Sequence, residues 1–149
     1  MNTTAAVIAH PAAVIVHDLG QAMRVLAAAE RTGRPVRLCS PPAAAPYLGP
    51  AVFKSMIDQA RADHPKARAT ACLDCGDEAG TALAALRHGI DAISLTAAPD
   101  VLEKIADMAR QSGAEIMPPP SHALDMAATR ADDDLADWLL GRLAVGRNM

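Results

Sequence analysis

Aromatic side chains are almost missing from this sequence, whose 149 residues hold one Trp, one Tyr and one Phe. Trp138, Tyr47 and Phe53 are too few for the stacking platforms of single-strand nucleic-acid binders. Basic charge is not in excess either. The formal net charge is −3 at pH 7, against the basic face that nucleic-acid binding requires. No uninterrupted apolar run is long enough to span a membrane. The start, Met1-Asn2-Thr3-Thr4, lacks the cationic flank of a secretory signal, and His10-Pro11 breaks the short apolar run at 5–9 from the one at 12–16. Cysteine is scarce and odd in number, three in the chain, so no disulfide framework is expected. Glycines are dispersed rather than gathered into a phosphate loop, and the nucleophile elbow G-x-S-x-G does not occur. The expectation is a cytoplasmic protein that contacts neither membrane nor nucleic acid.

Aliphatic residues fill the space that aromatics leave, since 51 % of the chain is hydrophobic. The length suits a single α/β domain over 1–149, with a βα core at 12–120 and a helical segment at 121–149. Ala12-Ala13-Val14-Ile15-Val16-His17 is a continuous apolar run of the kind buried on both faces of a parallel sheet. The run at 5–9 before it reads as an edge strand or a frayed terminus. Asp18 is the expected cap of the following helix, with Gln21 in the capping-box position. Leu19, Ala22, Met23, Leu26 and Ala29 make its apolar stripe, and Gly33 stops it.

Val36-Arg37-Leu38-Cys39 is the second strand. A proline- and alanine-rich loop over 40–50 leads to a helix opened by Pro50, with Phe53, Met56, Ile57 and Ala60 inward. The third strand spans 67–75 and is followed by a helix expected to be capped by Asp77 and stopped by Gly89. The fourth strand spans 90–96, and Pro99 opens the next helix, which Gly113 ends. Glu115-Ile116-Met117 is a short fifth strand cut by Pro118-Pro119-Pro120. Asp132, Asp133 and Asp134 start a last helix, where the dipole favours acid, with Leu135, Trp138, Leu139 and Leu143 on one stripe and Arg142 and Arg147 at its basic end. That helix either closes the sheet or meets a partner. The cadence is alternating βα, which implies a mainly parallel five-stranded sheet plus a C-terminal helix. Five strands cannot close an eight-stranded barrel, so the alternatives are an open three-layer sandwich or a partial TIM-like barrel.

Ligands of parallel sheets bind beyond the carboxyl ends of the strands. Those ends carry His17, Cys39, Ser40, Asp74, Cys75 and Thr96. Asp74 stands at a strand end without an evident capping task, so it must find donors or a ligand. Cys75 lies beside a glycine just before a helix start, where a thiolate is favoured. These two are the catalytic candidates; His17, Cys39, Ser40 and Thr96 are the ligand-binding candidates. Cys72 reads as a small buried hydrophobe, because residues three apart on a strand face opposite sides. A second C-x-x-C for structural zinc is absent, and no motif identifies a cofactor or a metal. His64 and His88 fit helix C-termini; His10 and His122 fall in loops.

Three segments carry a family likeness. They are the helix ending Ala29-Glu30-Arg31-Thr32-Gly33-Arg34-Pro35-Val36, the run Cys72-Leu73-Asp74-Cys75-Gly76, and Ala84-Ala85-Leu86-Arg87-His88-Gly89-Ile90-Asp91-Ala92-Ile93. Together, residues 14–117 resemble the first part of class II fructose-bisphosphate and tagatose-bisphosphate aldolases. Asp74 matches that family's acid–base aspartate in H-L-D-H-G. Cys72 and Cys75 stand at the two histidine positions of that motif, Cys75 at the zinc ligand. Thr96 stands where an acidic residue is expected, and Met117 with the prolines where a later glutamate ligand is. The resemblance implies a barrel-derived βα domain whose metal-ligand positions are not retained.

Three functions are therefore in view. The first is a non-catalytic or degenerate aldolase-like domain that binds a small ligand or a partner and works as a homo-oligomer. The second is a small lyase or isomerase with Asp74 as the acid–base group. The third is a transition-metal binder using Cys39, Cys75 and His17.

Overall fold

The structure, a computed structural model, describes residues 11–142. The expected strand at 5–9, His10, Leu143 and Arg147 lie outside the described residues. Strands β1 (Ala12–Ile15), β2 (Val36–Cys39), β3 (Ala69–Asp74), β4 (Ala92–Ser94), β5 (Glu115–Ile116) and β6 (Leu124–Asp125) form one sheet of order β5-β4-β3-β2-β1-β6. Every pairing is parallel. The sixth strand corrects the expected count of five. Its two residues are too few for any alternation to be read, and only its place beside β1 makes it a strand.

Among the described residues six helices alternate with the strands: α1 (Leu19–Thr32), α2 (Ala45–Leu48), α3 (Pro50–Asp63), α4 (Ala79–Arg87), α5 (Pro99–Gln111) and α6 (Asp132–Leu139). The capping box forms with a one-residue offset. Asp18 Oδ1 accepts from the Gln21 amide at 2.8 Å, and Gln21 Oε1 accepts from the His17 amide at 2.8 Å. Gly33, at φ 70°, closes α1 by donating to Ala29 O. Pro50 and Pro99 occupy first-turn positions, where the missing N–H costs nothing. The 40–50 segment, expected as a loop, contains α2. Asp77 does not cap α4; the cap position is Glu78. Gly76 turns the chain at φ 58°, against Ala43, and this turn delays the helix start past Asp77.

One hydrophobic core joins the sheet to all six helices. Val14, Val16, Val36, Leu38, Ala71, Leu73 and Ile93 supply the sheet side; Leu26, Phe53, Ile57, Leu86, Ile105 and Leu135 are among the helical residues opposite. Consecutive strands pair in sequence from β1 to β5, so crossovers of one hand put their helices on one face. Leu135 and Leu139 of α6 are buried in the same core, and Trp138 Nε1 donates to Ala13 O at 2.9 Å. The last helix therefore closes the sheet beside α1.

The second face of the sheet is covered differently. β5 and β6 are its opposite edges, joined only by residues 117–123. Five strand spacings amount to about 24 Å. A polyproline-like chain from Ile116 to Leu124 reaches only about 25 Å. The connection has little slack in crossing the sheet; Pro118-Pro119-Pro120 suits it because each ring fixes φ, and the chain bends after them at Ser121 and His122. Met117 and Ala123, at its two ends, pack on a small cluster of Ala13, Cys39, Cys72 and Ala92.

Candidate functional site

Three openings lie at the carboxyl ends of the strands; one, of about 280 Å³ past β4 and β5, is lined only by apolar residues such as Leu95, Leu102 and Met117, and the other two carry polar groups. The first of these two is a cavity of about 60 Å³ between the sheet and the proline bridge, lined by Cys39, Ser40, Cys72, Asp74, Ser94 and the rings of Pro119 and Pro120, with Ile15 and Pro42 beside them. Strand alternation builds it. Cys39 and Cys72 are register partners on β2 and β3, so their side chains leave the sheet on the same face. Asp74, two residues beyond Cys72, follows on that face. Its amide donates to Ser40 Oγ at 2.9 Å, and its Oδ1 accepts from the Gly76 amide at 2.9 Å. Ser94 Oγ lies 3.6 Å from Cys72 Sγ.

Both thiols of this cavity are neutral at ordinary pH. Burial pushes Cys39 up to about 12, with Cys72 beside it adding to the rise. Burial likewise raises Cys72, against the lowering effect of the Ser94 bond. The Arg37 guanidinium lowers both and Asp74 opposes it. Arg37 is the one described residue with a buried, unpartnered side-chain nitrogen, its Nε. Its nearest carboxylate is Glu115, at 3.9 Å.

The second opening is a groove of about 520 Å³ between the start of α1 and the α2–α3 hairpin. Its walls are Leu19, Leu48, Val52 and Met56, and His17, Asp18, Ser55 and Gln59 supply polar atoms. His17, just past β1, bonds Asp125 of β6 through Nε2 to Oδ1 at 2.7 Å. Asp125 Oδ1 also accepts from the Ala127 amide at 2.9 Å, and Asp125 O accepts from Thr129 Oγ1 at 2.9 Å. The imidazole is thus held against an ordered turn.

The expected cluster is therefore divided. Asp74, Cys39 and Ser40 meet in the small cavity. His17 belongs to the groove instead. Thr96 is exposed, tied to the rim by its amide to Gly76 O at 2.7 Å. Cys75 is on the opposite face of the sheet, fully buried in the helix-side core, with Sγ donating to Leu73 O at 3.7 Å. Burial, followed by the Asp74 charge, pushes its thiol up to about 12. The helix start expected to favour a thiolate begins only at Ala79, so desolvation decides the outcome. The set Cys39, Cys75 and His17 does not converge, and among the described residues no three His, Cys, Asp or Glu side chains are placed to hold a metal.

Sequence reasoning misses Cys72, Ser94, Asp125 and the proline rings. Cys72 is within its reach, since alternation along two paired strands puts Cys39 and Cys72 on one face. Asp125 carries no signal, because its two-residue strand has none. Among the described residues no helix is long and apolar enough to cross a membrane. The fold is an α/β one, with a parallel sheet built from alternating βα units. No protein-family model matches this chain, and no curated protein matches its sequence.

Proposed function

We propose that this chain is a non-catalytic α/β binding domain whose ligand, small and mainly apolar with one hydrogen-bonding head, lies in the groove at the end of β1. The observation that carries this reading is a groove of ligand size at the carboxyl side of the sheet; the opening of comparable size, about 550 Å³ beside Pro35 and Arg37, lies at the amino ends of β2 and β3. The groove's volume, about 520 Å³, falls within the range of about 300–1,000 Å³ typical of small-molecule sites. Its position beyond strand ends is the usual one for parallel sheets. Asp125 holds the His17 ring through Nε2, leaving Nδ1 without a partner among the described residues and open to a ligand.

Acid–base chemistry at Asp74 has less support. A cavity of about 60 Å³ accommodates one or two waters, not a carbon substrate. The stepwise order from β1 to β5 supports a barrel-derived origin, in keeping with the aldolase likeness of residues 72–76. Three free cysteines accord with a cytoplasmic, reducing location. Tyr47, 71 % exposed beside the groove, supports self-association.

Thermal-shift screening with small aromatic and aliphatic amides tests the binding reading. The expected result is stabilisation of the intact chain that Val52→Lys, at the groove wall, removes. Equal stabilisation of the variant overturns it. Solution mass at micromolar concentration tests self-association, and a clean monomer contradicts it.

A further inference from the structure

We propose that Cys39 and Cys72, side by side on one face of the sheet beneath the proline bridge, form a two-sulfur site for a soft monovalent cation, for which Cu(I) is the probe. This site is separate from the groove and does not depend on the proposed ligand. Cys39 and Cys72 are Cα register partners on adjacent strands, so their backbones stand about 4.8 Å apart. A zinc–sulfur bond is about 2.3 Å; at a comparable length, two bonds end to end separate the sulfurs by about 4.6 Å, which Cys39 Sγ and Cys72 Sγ reach by turning from Arg37 O, at 3.8 Å, and Ser94 Oγ, at 3.6 Å. Soft thiolate ligands select Cu(I). The cavity they share, about 60 Å³, admits a bare ion and no organic ligand.

The surroundings favour low coordination. Among the described residues no third His, Cys, Asp or Glu completes a metal-binding group, so they do not supply the four-coordinate shell that zinc requires. Ser94 and Ser40 are hydroxyls, poor ligands for a soft ion. In the binding step each thiol loses its proton to water and forms one S–Cu bond, and copper stays Cu(I), so no electrons move. Two thiolates and one Cu(I) carry a single negative charge. Asp74, in the same cavity, adds a second negative charge, and the Arg37 guanidinium, on the same face with its buried Nε unpartnered and its Nη2 3.9 Å from Glu115, is the cation that faces them.

The deciding experiment titrates the intact, reduced chain with Cu(I) delivered anaerobically from a chromophoric chelator, and records the copper K-edge spectrum of the loaded protein. The expected result is one Cu(I) per chain with two sulfur neighbours. Uptake falls more than about 100-fold in Cys39→Ala and in Cys72→Ala, beyond what loss of an outer-shell partner costs, and is unchanged in Cys75→Ala. Apparent affinity rises with pH, by up to about 100-fold per unit, because two protons leave. Failure to take copper from the chelator, nitrogen neighbours at the edge, or uptake that depends on Cys75 overturns the proposal. The wild-type spectrum needs no variant, so a substitution that impairs folding leaves the test intact.

Discussion

His17 Nε2 and Asp125 Oδ1 lie 2.7 Å apart across the β1–β6 pair, and this contact ties the groove to the edge strand. Both partners are partly exposed, so the bond contributes modestly, about 0.5–1 kcal/mol. His17→Ala is expected to lower unfolding free energy by that amount in urea and to loosen the 125–129 turn, read as faster amide exchange at Ala127. Unchanged exchange there contradicts the positioning role.

Asp91 links three elements. Its Oδ2 accepts from Arg61 Nη2 of α3 at 2.6 Å and from the Ala71 amide of β3 at 2.8 Å. Asp91→Ala leaves a nearly buried backbone donor and a half-buried guanidinium without their carboxylate. The expected loss is about 2–3 kcal/mol, measured by chemical denaturation. A loss below about 0.5 kcal/mol, the level of an ordinary surface change, contradicts it.

Trp138 is the single tryptophan and reports on the closing helix directly. Trp138→Phe keeps an aromatic ring on the core but removes the donor to Ala13 O. The expected cost is about 1 kcal/mol. Wild-type tryptophan fluorescence is expected to change in the same transition as the far-ultraviolet signal. An earlier fluorescence change means that α6 detaches independently.

The buried thiols give the stability curve an alkaline limb. Cys39 and Cys75 are raised to about 12, above their unfolded values. A group raised in the folded state contributes fully below its unfolded pKa, and the contribution is lost as pH climbs toward the folded value. At pH 10 each thiol is expected to have given up about 1.4 kcal/mol. Between pH 8 and 10, Cys39→Ala is expected to lose less stability than the wild type by about that amount. Parallel curves contradict the assignment.

The βα cadence is legible in the sequence because its signals are local. Asp18 with Gln21, Pro50, Pro99 and Gly33 mark boundaries by backbone chemistry that tertiary contacts do not override. β2 at 36–39 has the bounds its residues imply, since a short apolar run between Pro35 and a proline-rich loop leaves few alternatives. The site is legible only in part. Placing Asp74, Cys39 and Ser40 together follows from topology, but which face Cys75 takes follows from one step of alternation past Asp74. The path of 117–123 depends on the distance between two sheet edges, which no local pattern encodes. Strand ends alone put His17 at the same mouth as Asp74, yet the order β2-β1-β6 turns it toward α1 and α3.

The central claim is that the groove at the end of β1 is the ligand site. The most direct measurement is a two-dimensional amide spectrum of the labelled chain titrated with the amide fragments that stabilise it. The predicted result is a set of shifts concentrated at residues 17–19 and 48–59, with Ala127 following through Asp125. Shifts concentrated instead at residues 39–42, 74 and 94, around the small cavity, contradict it.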